Sequence, residues 1–385
     1  MNRFFAHLPA TREREKGIIA SGVRDFFCVP DGANGQDWGR LQNWLNQHQG
    51  LPIIAVSAFE SGFDWLQIKV KKKDLIQTPT LIWVIPEKFE ILEKPQDLAT
   101  IAAEDKFDFV ETESKEQYQQ NLLQLKHHLL RGDIYETNYC LQLQAKMDCL
   151  QPYHHWLHLY ESHPAPHAAY FQWNQFHLMC LSPERFILKK DHRLLSQPIK
   201  GTIARPSNPE ENQKAIDNLL NSNKERSENT MIVDLVRNDM SKMALPRSVN
   251  VSELCGIHSF STLHHLISTV ECSIASSTSI ESIFKSMFPM GSMTGVPKKS
   301  AVSITHSLEQ NARGWYSGTC GWIQPNGDFD FNVIIRSIIY DDQQKMGKIG
   351  IGSAITLQSN FQSEWEECWL KAKSLITQNR KHATA

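Results

Sequence analysis

Apolar residues follow two rhythms along the chain. Compact runs such as "LPIIAVSAF" (51–59) and "TPTLIWVIP" (78–86) are short and β-branched, and predict strands. Between them "PDGANGQDWG" (30–39) is rich in turn formers and predicts a break. From about residue 113 a longer rhythm begins. Ser114 is a candidate cap with Gln117 three residues on, and Tyr118, Leu122, Leu125 and Leu129 then recur at helical spacing until "RGD" ends the run. "IYETNYCLQLQAKM" alternates as a strand. "RFILKKDHRLLSQPIKG" predicts a hairpin turning at Asp191-His192, with Lys200 near its end. A long helical stretch over 211–243 carries a candidate break at Asn221–Asn223. "GTCGWIQPNGDFDFNVIIRSIIY" predicts two strands about an Asn326-Gly327 turn, the second holding Arg336. "FQSEWEECWLKAKSLITQ" is an amphipathic helix. Strands and helices do not alternate regularly, so the fold class predicted is α+β rather than a doubly wound parallel sheet.

Composition narrows the function classes. The 385 residues are 41% hydrophobic and 21% charged, with a formal net charge of −2, which gives neither a nucleic acid nor an anionic membrane any general attraction. The basic run "KVKKK" (69–73) stands alone and reads as a solvated strand end. No apolar run is long enough to cross a membrane or to serve as a signal peptide. Eight scattered cysteines without a C-x-x-C pair predict reduced, mostly buried thiols and a cytoplasmic location. The sixteen histidines show no H-E-x-x-H spacing.

Candidate chemistry starts with the acids. Glu225 and Glu228 stand at i and i+3 of one helix, and Glu364 and Glu367 repeat the spacing in another. Two such pairs facing each other suit Mg²⁺, which takes one or two carboxylates and leaves its other positions to water and substrate; solvated helix faces have the same pattern. "FPMGSMTGVPKKS" (288–300) fails the phosphate-loop pattern at Val296 and Pro297, yet describes a turn feeding a helix N-terminus. Arg336 in its apolar run needs an anion, whether a ligand carboxylate or an internal acid. Glu184 in "SPERF" is a candidate general acid, and His264 and His265 precede another apolar run. Lys200 in "QPIKGT" reads either as a turn charge or as a nucleophile. No nucleophile elbow and no dinucleotide loop occur.

Taken in order, "GDIYETNY", "SPERF", "PIKGT", "KERSENTMIVDLVRND", "HHLIST", "GSMTGVPK", "WYSGTCGW", "VIIR" and "SEWEE" resemble the chorismate-utilising enzymes over about residues 113–378. The resemblance implies two antiparallel sheets in a central sandwich flanked by helices. The active site lies in a cleft, residues 1–105 add strands to the same body, and 106–380 form the catalytic region. It implies Mg²⁺ held by Glu228 and Glu367, with Glu225 and Glu364 acting through water. Arg336 and Tyr316 would hold the enolpyruvyl carboxylate of chorismate, helped by the backbone of Gly352, Ser353 and Ala354. Glu184 would protonate the departing C4 hydroxyl. Thr202 and Thr294 would line the pocket, and His265 would lie near the ring carboxylate. Lysine in "PIKGT", where anthranilate synthases usually carry alanine, is similar to the aminodeoxychorismate synthase component I branch. There Lys200 would attack C2 as the C4 hydroxyl leaves, and ammonia would then displace it from C4. For this the site must depress the lysine's pKa or remove its proton as substrate binds. With no Gly-Cys-Gly turn in the chain, ammonia would come from a separate glutamine amidotransferase subunit. The alternatives are anthranilate synthase component I and a catalytically silent chorismate-binding subunit. Glu136 stands where many relatives carry Gln and the water-adding members Lys, so the resemblance gives it no role.

Overall fold

The computed structural model describes residues 2–94, 107–260 and 263–376. The expected boundary at 105/106 and the expected end at 380 lie outside those residues. One sheet holds β1 (Phe4–Leu8), β2 (Gly17–Ser21), β6 (Lys88–Leu92), β7 (Val110–Glu111), β8 (Glu136–Lys146), β9 (Ala169–Trp173), β10 (Phe176–Cys180), β16 (Gly295–Val296), β19 (Ser337–Asp341) and β20 (Met346–Ile355). The other holds β3 (Asp25–Val29), β4 (Ile53–Ser57), β5 (Leu81–Ile85), β11 (Arg185–Lys190), β12 (Arg193–Gln197), β13 (Ile199–Ala204), β14 (Asn250–Ser259), β15 (Leu263–Ser273), β17 (Thr319–Ile323) and β18 (Phe329–Val333). The pairings are antiparallel. The helices are α1 (Gly35–Gln47), α2 (Lys115–Arg131), α3 (Pro152–Ser162), α4 (Pro209–Leu220), α5 (Asn223–Ser241), α6 (Ile280–Met287), α7 (Lys298–Leu308) and α8 (Phe361–Ile376).

The sheets meet face to face. Phe171 of β9 meets Trp315 at 5.8 Å between ring centroids, and Phe89 of β6 meets Trp322 of β17 at 5.8 Å. One apolar core takes residues from both sheets together with α1, α5 and α6; a second fills the outer face of the first sheet beneath α2, α3 and α8. This is the expected α+β sandwich. Residues 2–94 pair into both sheets: β1 lies beside β9, and β4 beside β17.

Local signals account for most elements. Ser114 caps α2, accepting from the Gln117 amide at 3.2 Å, and Gly132 ends the helix at φ +77°. Asn221 and Ser222 separate α4 from α5. Gly327 turns the β17–β18 hairpin at φ +85°. Three expectations need correction. The stretch 30–39 is only half a break, because Asn34 forms a reciprocal capping box with Asp37 and opens α1. The basic run 69–73 is no strand end: it lies in coil, and Lys72 reaches the carbonyls of Ser307 and Glu309. The third correction concerns Arg336. The run 329–341 is two strands, and Arg336 sits between them at φ +50°, where the chain leaves β18 in one sheet for β19 in the other.

A buried guanidinium ties these layers together. Arg313, 1% exposed, pairs with Glu309 at 2.6 Å and donates to the carbonyls of Met293 at 2.8 Å and Asn138 at 2.7 Å. It also lies over the Phe59 ring at 4.4 Å. Glu309 accepts in addition from the Cys140 amide at 3.0 Å. Removing one partner of such a pair strands the other charge in the interior. Glu309→Gln should therefore lower the unfolding free energy by about 3–5 kcal/mol, read as a fall in the denaturant midpoint at unchanged slope.

Candidate active site

The site forms where an edge of each sheet comes together. Lys200 lies on β13, the edge strand of one sheet, and Glu136 is the first residue of β8 in the other. Nζ of Lys200 stands 2.5 Å from Glu136 Oε1. Both side chains are buried, at 10% and 2% exposure. Gly201 explains why the lysine is aimed inward. At φ +86° it bends the strand, and a Cβ there would sit 3.0 Å from Leu219 and 3.1 Å from the Glu225 carboxylate. The "KGT" step is thus a close approach between β13 and the start of α5, open only to glycine.

Glu184 precedes β11 in a turn closed by Ser182, whose hydroxyl donates to the Glu184 carbonyl and accepts from its amide. Its carboxyl is buried, and Glu184 and Ser292 line the same small cavity. Burial pushes its pKa up to about 7, against the opposing pulls of Ser292 and Lys200. A carboxyl poised there holds a proton to donate near neutral pH.

Lys200 departs from the expectation of a depressed pKa. Burial alone disfavours its ammonium form, but Glu136, Glu228 and Glu184 outweigh burial and raise the pKa above the ordinary lysine value. The chain by itself holds Lys200 charged. Of the two routes to a neutral amine, the chain's own side chains do not supply the first.

The four glutamates of the candidate metal site all act on one lysine. Lys224 feels Glu228, Glu364, Glu225 and Glu367 together, which raises its pKa in spite of burial, and its Nζ lies 4.0 Å from Glu228 Oε1. Glu228 is buried, its pKa pushed up to about 7 by desolvation, and its Oε1 has no hydrogen-bond partner among the described residues. Burial pushes Glu367 upward as well, but Lys371, at 2.7 Å, with Lys224 and Lys200 holds it below the usual range. Glu364 accepts from the Ser353 hydroxyl. Among the described residues no three His, Cys, Asp or Glu side chains gather closely enough to hold a metal ion alone. An orphaned buried carboxylate oxygen beside a cluster of like charges fits a hard divalent cation that takes most of its ligands from water and substrate.

Arg336 offers the anion site. Its left-handed backbone turns it out of both strands, and Nη1 donates to the Lys371 carbonyl at 3.1 Å. Among the described residues no carboxylate lies within ion-pair distance of it, the arrangement that a ligand carboxylate would need. Burial lowers its pKa, against the opposing pulls of Tyr316 and Glu367. The Tyr316 hydroxyl is itself buried and held protonated, and its ring rests on Gly350, where a Cβ would be 2.2 Å away. Beyond Ile349, β20 has no β19 neighbour. Gly352, Ser353 and Ala354 therefore pair with β8 alone, opposite Cys140, Tyr139 and Asn138, and the Gly352 carbonyl accepts from Lys371 at 2.8 Å.

Two further expected residues pair with each other. Thr202 stands opposite His265 in the ladder, and its hydroxyl lies 2.9 Å from His265 Nδ1. Burial, reinforced by Arg336, lowers the His265 pKa to about 4, so its ring is neutral. Thr294 acts on the backbone instead. Its hydroxyl donates to the carbonyls of Met290 and Gly291, locking the "GSMTG" turn. The site also contains residues that motif spacing did not single out, namely Ser292, Lys224 and Lys371. Lys224 and Lys371 pair with Glu228 and Glu367 four residues away on their own helices, but their contacts with the rest of the site come from residues distant in the chain.

The chain resembles known proteins throughout. It is 38% identical over 276 residues to the chloroplastic aminodeoxychorismate synthase of Arabidopsis thaliana, covering 71% of this chain and 30% of that one. It is 33% identical over 382 residues to aminodeoxychorismate synthase component 1 of Klebsiella aerogenes, covering 98% and 75%, and 30% identical over 361 residues to that of Escherichia coli K12, covering 91% and 76%. The chain thus spans under a third of its plant relatives and about three quarters of these bacterial ones. Anthranilate synthase component I from Streptococcus pneumoniae TIGR4 shares the fold, with a TM-score of 0.83 at 21% identity over 96% of this chain and 93% of that one. A family model described as chorismate binding enzyme matches residues 30–377, and the chain belongs to that family.

Proposed function

We propose that the chain is an aminodeoxychorismate synthase component I, converting chorismate and ammonia to 4-amino-4-deoxychorismate on the way to para-aminobenzoate and folate. The observation that carries this reading is Lys200, buried at the cleft and faced by Glu136, Glu184 and Glu228. The names of the relatives from Arabidopsis, Klebsiella and Escherichia support it. The ammonia would come from a separate glutamine amidotransferase subunit, and the unpaired cysteines suit a reducing cytoplasm.

Chorismate is a dicarboxylate. Arg336, with the Tyr316 hydroxyl, binds its enolpyruvyl carboxylate, while His265, Thr202 and the "GSMTG" turn line the ring. Glu228 and Glu367 would hold Mg²⁺, with Glu225 and Glu364 outside them; the ion, when bound, fixes the ring carboxylate and draws charge from the ring. Glu184 gives its proton to the C4 hydroxyl, which leaves as water. Lys200, once neutral, attacks C2 with its lone pair as the C4–O bond breaks. Ammonia then attacks C4, and the lysine departs from C2.

Product analysis tests the reading. With chorismate, Mg²⁺ and ammonium, the product should yield para-aminobenzoate only after a lyase is added; direct formation of fluorescent anthranilate would assign the chain to anthranilate synthesis instead. Lys200→Ala should lower aminodeoxychorismate formation by about 10²-fold or more and shift product toward anthranilate, and an unchanged rate would remove the lysine from the mechanism. At saturating ammonia, kcat/KM for chorismate should be level below about pH 7 and fall above it as Glu184 loses its proton. Lys224→Met should tighten Mg²⁺ binding about tenfold in calorimetry, because it removes a cation that competes for the same carboxylates.

A further inference from the structure

Glu136 is the buried acid that the proposed chemistry leaves without a role. It is 1% exposed, and its backbone is clamped on both sides. The Tyr135 amide donates to Val296 at 2.7 Å and the Asn138 amide to Thr294 at 2.8 Å. Gly295 lies so close that a Cβ there would stand 2.3 Å from the Glu136 carbonyl. So fixed, Oε1 lies 2.5 Å from Lys200 Nζ, while Oε2 is buried with no hydrogen-bond partner among the described residues. A purely structural ion pair would be expected to satisfy both oxygens.

We propose that Glu136 is the positioning residue that takes the proton from Lys200 and keeps it beside the nitrogen until the lysine is released. This rests on the reading of Lys200 as nucleophile. Three carboxylates face Lys200, those of Glu136, Glu228 and Glu184. Glu184 holds its own proton for the leaving hydroxyl, and Glu228 lies in the cluster that surrounds Lys224. Glu136 alone is in contact. When substrate displaces water, a buried ammonium–carboxylate pair loses solvation, and moving one proton from Nζ to Oε1 replaces two charges by two neutral groups.

The steps then balance. Ammonium and carboxylate become amine and carboxylic acid. The amine bonds to C2 while the C4–O bond breaks and Glu184 supplies the proton that makes the leaving group water. The adduct nitrogen carries one positive charge. Ammonia bonds to C4, the C2–N pair returns to lysine as a neutral amine, and the product carries the charge as a C4 ammonium. Lys200 recovers its proton from Glu136, and Glu184 is reprotonated from solvent.

The test is adduct formation by the full chain with chorismate and Mg²⁺ but no ammonia, followed by intact mass as a gain of chorismate less one water. From about pH 6 to about pH 7 the wild-type rate should be level, because the proton is accepted internally. Glu136→Gln should form adduct about 10²-fold more slowly at pH 6.5, with chorismate affinity within about threefold of wild type. Its rate should climb with pH, up to about tenfold per unit, because the lysine must now lose its proton to solvent. Glu136→Asp should keep the level profile at a reduced rate, which separates the acid from its shape. Glu136→Gln at the wild-type rate, or slowed equally at every pH, would overturn the proposal. So would a Glu136→Asp profile that climbs like that of Glu136→Gln. If wild type makes product but no adduct, and Lys200→Ala makes product at full rate, the nucleophile reading itself has failed and this role falls with it.

Discussion

The two halves of the molecule depend on one buried charge. Arg313 cannot lose its proton and cannot reach water, so everything around it is arranged to supply acceptors: a carboxylate, two carbonyls and an aromatic face. Those acceptors come from α7's end, the "GSMTG" turn, β8 and the 3-10 segment Phe59–Gly62. Satisfying one guanidinium fixes four pieces of chain relative to one another. Two of them, β8 and the turn, carry the backbone that frames Glu136. The order of the cleft is therefore inherited from a contact in the core.

The cleft concentrates charges that a simple core would exclude. Lys200, Glu136, Glu184 and Glu228 are all buried. Desolvation pushes Glu184 and Glu228 up while Lys200 pulls both down, and Glu136 pairs directly with the lysine. Arg336 is the exception, a cation that forms no ion pair among the described residues and feels Glu367 only from a distance. Such an arrangement is costly to fold.

Much of this was legible in the sequence because it was local. Caps at Ser114, the hairpins at Asp191 and Asn326-Gly327, and the break before α5 depend on a few adjacent residues. The ordered motifs placed most of the candidate side chains. The departures have physical causes. Arg336 lies in an apolar run whose period gives no sign of a left-handed residue. The Asn34 capping box was hidden among turn formers that serve both purposes. The raised lysine pKa depends on Glu136, 64 positions away, and Glu228, which no spacing rule connects to it.

Arg336 also does two jobs with one backbone. The residue that carries the chain from one sheet to the other is the one that presents the anion fork. Its backbone φ is set by strands on both sides, each locked in its own ladder, and its guanidinium is held by the Lys371 carbonyl. The orientational freedom of that side chain is lost when the protein folds, before any ligand arrives. An anion bound by this guanidinium would meet a geometry already built, with no affinity lost to ordering the arginine.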